Sequence, residues 1–187
     1  RSIDYVTIAS TCNASDFGDM TTEYYNIAGL ASNSRGVYGG GTGPSTYDNS
    51  MEYITMASTG NATDFGNLTV GRRSCATCDN DTRGCFAGGE SSGNTNSNVI
   101  DYITIASTGN ATDFGDTTNS ECFAAAGGAD SDHGVTGIDR GVIGGGYDHF
   151  SGAKNHIQYI TISSTGNATD FGDLTRSCFQ TSCVAGL

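Results

Sequence analysis

One eight-residue phrase occurs four times, as Ile3-Asp4-Tyr5-Val6-Thr7-Ile8-Ala9-Ser10 and again from Met51, Ile100 and Ile157, at spacings of 48, 49 and 57 residues. Each copy runs into a second phrase, Ser-Thr-Gly-Asn-Ala-Thr-Asp-Phe-Gly, which in the first copy reads Ser-Thr-Cys-Asn-Ala-Ser-Asp-Phe-Gly. Self-similarity at this period belongs to propellers and solenoids, in which one supersecondary unit is stacked on the next. The 187 residues are therefore expected to form one array rather than separate cores.

The pieces between the phrases read as short strands. In the second unit these are Arg73 to Cys78, a turn over Asp79 to Thr82, Arg83 to Gly89, a polar loop from Glu90 to Asn98, and then the strong run from Val99. Along that run Ile100, Tyr102 and Thr104 alternate with Asp101, Ile103 and Ile105, so neither face is mainly polar and the strand should be covered on both sides. With 28 glycines, one proline and no tryptophan, the vocabulary is that of an all-β chain with many turns.

The chain opens in the third strand of a unit, and the segments at Arg176-Ser177-Cys178 and Ser182-Cys183-Val184 read as the first and second. The expected architecture is one domain over 1–187, an all-β, four-bladed ring closed by pairing of the N- and C-terminal strands. Its composite blade takes 1–25 plus 174–187, and the other blades take about 26–73, 74–121 and 122–173. Closing a radial array removes exposed strand edges. Because the sequence begins at Arg1, a processed or longer parent chain is also expected.

Arg35-Gly36-Val37-Tyr38-Gly39-Gly40-Gly41, followed by a tyrosine-bearing strand and then an aromatic on a fourth strand, resembles the kelch repeat, with Phe17, Phe65, Phe114 and Phe171 where that family usually carries tryptophan. The longer phrase ending in Asp-Phe-Gly is similar to kelch-like repeats in virion and tail-associated proteins of aquatic bacteriophages. The resemblance covers essentially the whole chain. It implies a propeller presented outside a cell or on a virion surface, serving adhesion.

A net charge of −12, from 20 acidic and 8 basic residues, disfavours nucleic acid as a partner. No apolar run reaches the length of a membrane span. Seven cysteines suit an oxidising setting; aligning the repeats suggests hairpin disulfides Cys178–Cys183 and Cys75–Cys85, leaving Cys12, Cys78 and Cys122 unassigned.

Four evenly spaced Asp-Phe-Gly copies without a phosphate loop exclude a kinase reading, and Asp16, Asp64, Asp113 and Asp170 read as turn or strand-end residues paired with the recurrent arginines. No set of unlike catalytic residues stands out, so a non-enzymatic module without a cofactor is expected. Asp130 and Asp132 cluster hard oxygens that suit Ca²⁺, although an Asx turn is the preferred reading and no EF-hand loop is completed. Asn13, Asn61, Asn67, Asn80, Asn110 and Asn167 begin N-glycosylation sequons; the competing reading is a turn asparagine with φ > 0. The best binding hints are loop rings beside carboxylates, Tyr47-Asp48 and Tyr147-Asp148-His149, which suit a cell-surface glycan or receptor. The rival partner is the chain itself or another appendage protein, with terminal strands pairing head to tail in a filament.

Overall fold

The computed structural model describes residues 1–43, 47–120, 126–129 (backbone only) and 139–178. In chain order the strands are β1 (Ser2–Tyr5), β2 (Ser15–Asp19), β3 (Ala28–Ala31), β4 (Arg35–Gly39), β5 (Ser50–Thr55), β6 (Thr63–Asn67), β7 (Arg72–Arg73), β8 (Ala76–Asp79) and β9 (Arg83–Ala87). They continue as β10 (Glu90–Ser91), β11 (Thr95–Asn96), β12 (Val99–Thr104), β13 (Thr112–Asp116), β14 (Ala126–Ala129), β15 (Arg140–Gly144), β16 (Tyr147–Asp148), β17 (Gly152–Thr161) and β18 (Thr169–Cys178). The protein is all-β among the described residues. Two antiparallel sheets run β3-β4-β5-β6 and β8-β9-β12-β13, and a third runs β14-β15-β17-β18 with β16 attached to β17. The hairpin β1-β2 repeats the last two strands of this unit, and β7-β10-β11 form a small separate sheet.

Both faces of the strong strand are covered, as its composition predicts: Ile100, Asp101, Ile103 and Ile105 are all buried. Asp-Phe-Gly acquires a specific role. The register slips by one residue between Ile3 and Asp4, Met51 and Glu52, Ile100 and Asp101, and Ile157 and Gln158, opposite glycines 18, 66, 115 and 172. These glycines have φ of 150°, 139°, 145° and 140°, which L side chains rarely adopt. The bulge bends the outer strand toward the next unit, where a Cβ at Gly18 or Gly66 would overlap the carbonyl of Gly60 or Gly109.

Successive units are joined by one motif used three times. Gly60 N–H donates to Phe17 O, Gly109 to Phe65 and Gly166 to Phe114, at 2.7, 2.7 and 2.8 Å, with matching bonds from Ala62, Ala111 and Ala168. The phrase asparagines complete it. Asn61, Asn110 and Asn167 accept the backbone N–H of Asp19, Asn67 and Asp116 through Oδ1 at 3.0–3.1 Å. None of these asparagines has a positive φ, so the expected turn conformation is corrected: their side chains bind the neighbouring unit instead.

A second link uses the buried polar residue of the strong strand. Thr21, Thr69 and Thr118 each donate both N–H and Oγ1–H to Glu52, Asp101 and Gln158, which are 3%, 0% and 2% exposed. Carboxylate and amide are interchangeable here because only an acceptor oxygen is required. The recurrent arginines do not pair with the Asp-Phe-Gly carboxylates. Arg35 and Arg83 lie 4.5 and 4.2 Å from the ring centroids of Tyr53 and Tyr102, and reach the Ile105 and Ile162 carbonyls of the next unit.

Further sequence expectations are corrected or lie outside the described residues. Cys75 and Cys85 are free thiols: the β8–β9 register puts Cys78, not Cys75, opposite Cys85. Arg176-Ser177-Cys178 continues β18 and pairs with β17 at Lys154, rather than starting a new blade. Cys178 thereby occupies the place of Arg72, since each carbonyl receives the N–H of the equivalent glycine, Gly146 or Gly41. Cys183 and the Val184 segment lie outside the described residues, as do Asp130 and Asp132. Among the described residues, no joint of the repeating kind links β18 to the first hairpin.

Candidate functional site

A glycine pair ends the second strand of each unit, with φ of 68° and 101° at Gly40 and Gly41, 62° and 102° at Gly88 and Gly89, and 72° and 124° at Gly145 and Gly146. The position just after it differs in every unit: Thr42, Glu90 and Tyr147. Similar turns there aim unlike side chains from equivalent places, and a cluster of polar and aromatic groups forms around the second of them, Glu90.

Glu90 starts β10 and is the cross-strand partner of Arg73 on β7, so both side chains share one face. Arg73 Nη2 donates to Glu90 Oε1 at 2.9 Å, and the Tyr47 hydroxyl donates to the same oxygen in a very short bond. The Arg73 guanidinium stacks 5.1 Å from the Tyr47 ring centroid, and Tyr47 also reaches Asn94 Oδ1 at 3.1 Å. From the third unit, His149 brings Nε2 to 3.4 Å from Glu90 Oε2, with Tyr147 edge-on to the imidazole at 5.8 Å. The carboxylate is fully buried, while Arg73 and His149 are about a quarter exposed (24% and 27%), so a buried anion lies beneath a partly open rim of aromatic rings, a guanidinium and an imidazole.

Oε2 has no hydrogen bond among the described residues, although an ionised carboxylate can accept several. Burial by itself would raise the Glu90 pKa. Hydrogen bonds from Tyr47 and Arg73, the Arg73 charge and His149 outweigh it and hold the carboxyl below its ordinary value. A folded-state pKa below the unfolded one gives stability that is fully present above the unfolded value and is lost as pH falls through the folded value. Glu90→Gln should therefore lower stability by on the order of 2 kcal/mol at neutral pH and flatten its decline on acidification, as read from urea unfolding at a series of pH values. An equally steep decline in the variant would remove Glu90 from this role.

Of the five ligand candidates, the structure brings together Tyr47, Tyr147 and His149. Asp48 and Asp148 turn to their own backbones: Asp48 Oδ1 accepts Ser50 N–H at 2.7 Å, and Asp148 Oδ1 accepts those of Phe150 and Ser151 at 2.6 and 3.1 Å. These bonds, Phe150 first, hold the Asp148 carboxyl below its ordinary value and close a hairpin whose tip exposes Phe150. Sequence reasoning missed Glu90, Arg73 and Asn94, which sat in segments read as loop or strand end. The usable signal was the unlike residue after each repeated glycine pair.

Among the six sequons, Asn13, Asn61, Asn67, Asn110 and Asn167 are exposed. At Asn80 the amide that a glycan would occupy donates to Asp139 at 2.6 Å, and Oδ1 accepts from Thr82 and Arg83. No group of His, Cys, Asp and Glu suited to a metal ion occurs among the described residues. No protein-family model matches the chain, and no curated protein matches it.

Proposed function

We propose that this protein is an extracellular, non-enzymatic recognition module of kelch-like architecture, in which the two ends of the chain complete a fourth four-stranded unit and the loop face around Glu90 binds a cell-surface glycan or receptor. The observation that carries this reading is the convergence of Tyr47, Arg73, Glu90, Tyr147 and His149, drawn from three units, on one partly open point. Tyrosine rings stack on sugar faces, while a buried carboxylate flanked by a guanidinium and an imidazole discriminates among hydroxyls. The non-repeating composition of this face sets it apart from the joints, where the same bonds recur from unit to unit. A virion tail or fibre-like appendage suits such a module, because rigid repeats present loops on a fixed frame. No helix among the described residues is long and apolar enough to cross a membrane.

Binding to an array of immobilised glycans tests the reading. The wild-type chain should bind a restricted set, Tyr147→Ala and His149→Ala should each weaken that binding about tenfold or more, and Phe150→Ala at the exposed hairpin tip should leave it unchanged. Equal binding by all four proteins, or none by the wild type, would remove the glycan assignment.

A further inference from the structure

The three joints between units leave one half-joint at each end of the molecule. Each joint places a phenylalanine of one outer strand against apolar residues of the next unit: Phe17 on Ile54 and Ala62, Phe65 on Ile103, Ile105 and Ala111, and Phe114 on Ile160, Ile162 and Ala168. Those phenylalanines are 8%, 2% and 3% exposed. Phe171 on β18 keeps the same edge-on contact with its own tyrosine, at 6.0 Å, yet is 56% exposed. Gly172 keeps the bulge φ of 140°, but where a Cβ on Gly18 or Gly66 would meet the neighbouring backbone, one on Gly172 would meet nothing within 4 Å.

The first hairpin carries the missing complement. Val6 and Ile8 stand where Ile103 and Ile105 stand, and are 54% and 97% exposed against 3% and 0%. Asp4 replaces Asp101, Asn13 replaces Asn110 and Ala14 replaces Ala111, and all three are exposed. Opposite them, Thr175 holds the place of Thr69, and Arg140, stacked 4.6 Å from the Tyr159 ring centroid, that of Arg83. Cys12 takes the place of Gly109, where an added Cβ meets nothing, so the cysteine is compatible with docking.

We propose that the outer face of β18 is the docking site for the first hairpin of a second copy of this chain. The bonds follow from the established joints: Thr175 N–H and Oγ1–H to the Asp4 carboxylate, Cys12 N–H to the Phe171 carbonyl, Asp173 N–H to Asn13 Oδ1 and Arg140 to the Ile8 carbonyl. A second copy is the occupant because one molecule exposes both halves of the same joint, with its own first hairpin already seated on the adjacent sheet through Phe17, Asp19 and Thr21. Such a contact is heterologous and propagates head to tail. The inference rests on the reading that the ends complete a fourth unit, and assigns the end that does so to a neighbour.

Asp4→Cys/Thr175→Cys protein, made with and without isotopic label, mixed, oxidised and digested, tests both levels. The expected product is a peptide linking positions 4 and 175 with one labelled and one unlabelled half. Sedimentation of the wild-type chain should show mass rising with concentration, and Ile8→Asp, at a side chain 97% exposed in the single chain whose counterpart Ile105 is buried in a joint, should abolish the rise. Linked peptides whose halves always share one label would overturn docking between copies while leaving the fourth unit intact, closed within one chain. Absence of a 4–175 link, with wild-type mass independent of concentration, would overturn both.

Discussion

Gly66→Ala should be among the most damaging substitutions of a small residue in this protein, lowering unfolding free energy by about 3 kcal/mol or more. Two effects add. Gly66 sits at φ 139°, a region costing a non-glycine residue on the order of 1–3 kcal/mol. Its Cβ would also overlap the Gly109 carbonyl of the next unit, and relief requires lengthening the Gly109–Phe65 and Ala111–Asn67 hydrogen bonds together. The matched control is Gly60→Ala, across the preceding joint. Gly60 has nothing within 4 Å of an added Cβ, so its loss should stay within about 0.5 kcal/mol. Urea unfolding of the two variants separates bulge glycines from glycines that merely fill a turn; equal losses would mean that the joint is softer than its geometry.

The same contrast explains what the sequence made legible. The repeat and its strand boundaries come from backbone requirements, and those leave a mark in every copy: the Asp-Phe-Gly bulge, the glycine pair and the β-branched run. Even the polar third position of the strong strand was legible as buried, since Asp101 is flanked by Ile100 and an apolar alternation. Its purpose was not, because Thr69, Thr21 and Thr118 are about 30 to 40 residues away from their acceptors and become partners only once the units stack. The cysteines failed for a related reason. Repeat alignment suggested Cys75 with Cys85, whereas hairpin register is set by counting outward from the Asn80–Thr82 turn, which puts Cys78 opposite Cys85. At the candidate site, Tyr47 and His149 were visible as loop groups, but Glu90 was not, since its neighbours come from separate units and from the two-residue strand β7.

Replacing Arg72 should cost about 3–5 kcal/mol, because it strands a buried charge. Arg72 and Asp101 are both fully buried and meet at 2.8 Å; the other guanidinium bonds go to the Val99 and Phe86 carbonyls at 2.5 and 3.1 Å. Thr69 alone would then remain to Asp101, donating at 3.2 and 2.6 Å. The third unit shows that the charge is dispensable to the joint: Gln158 accepts the same two donors from Thr118 through a neutral amide oxygen. Arg72→Met should thus be far worse than Arg72→Met combined with Asp101→Asn, which removes both charges and keeps an acceptor for Thr69. A double-mutant cycle in urea should give a coupling of about 2 kcal/mol or more between the two positions. An Arg72→Met loss below about 1 kcal/mol, or additive single and double losses, would show that Thr69 satisfies Asp101 unaided and that the ion pair contributes little beyond packing.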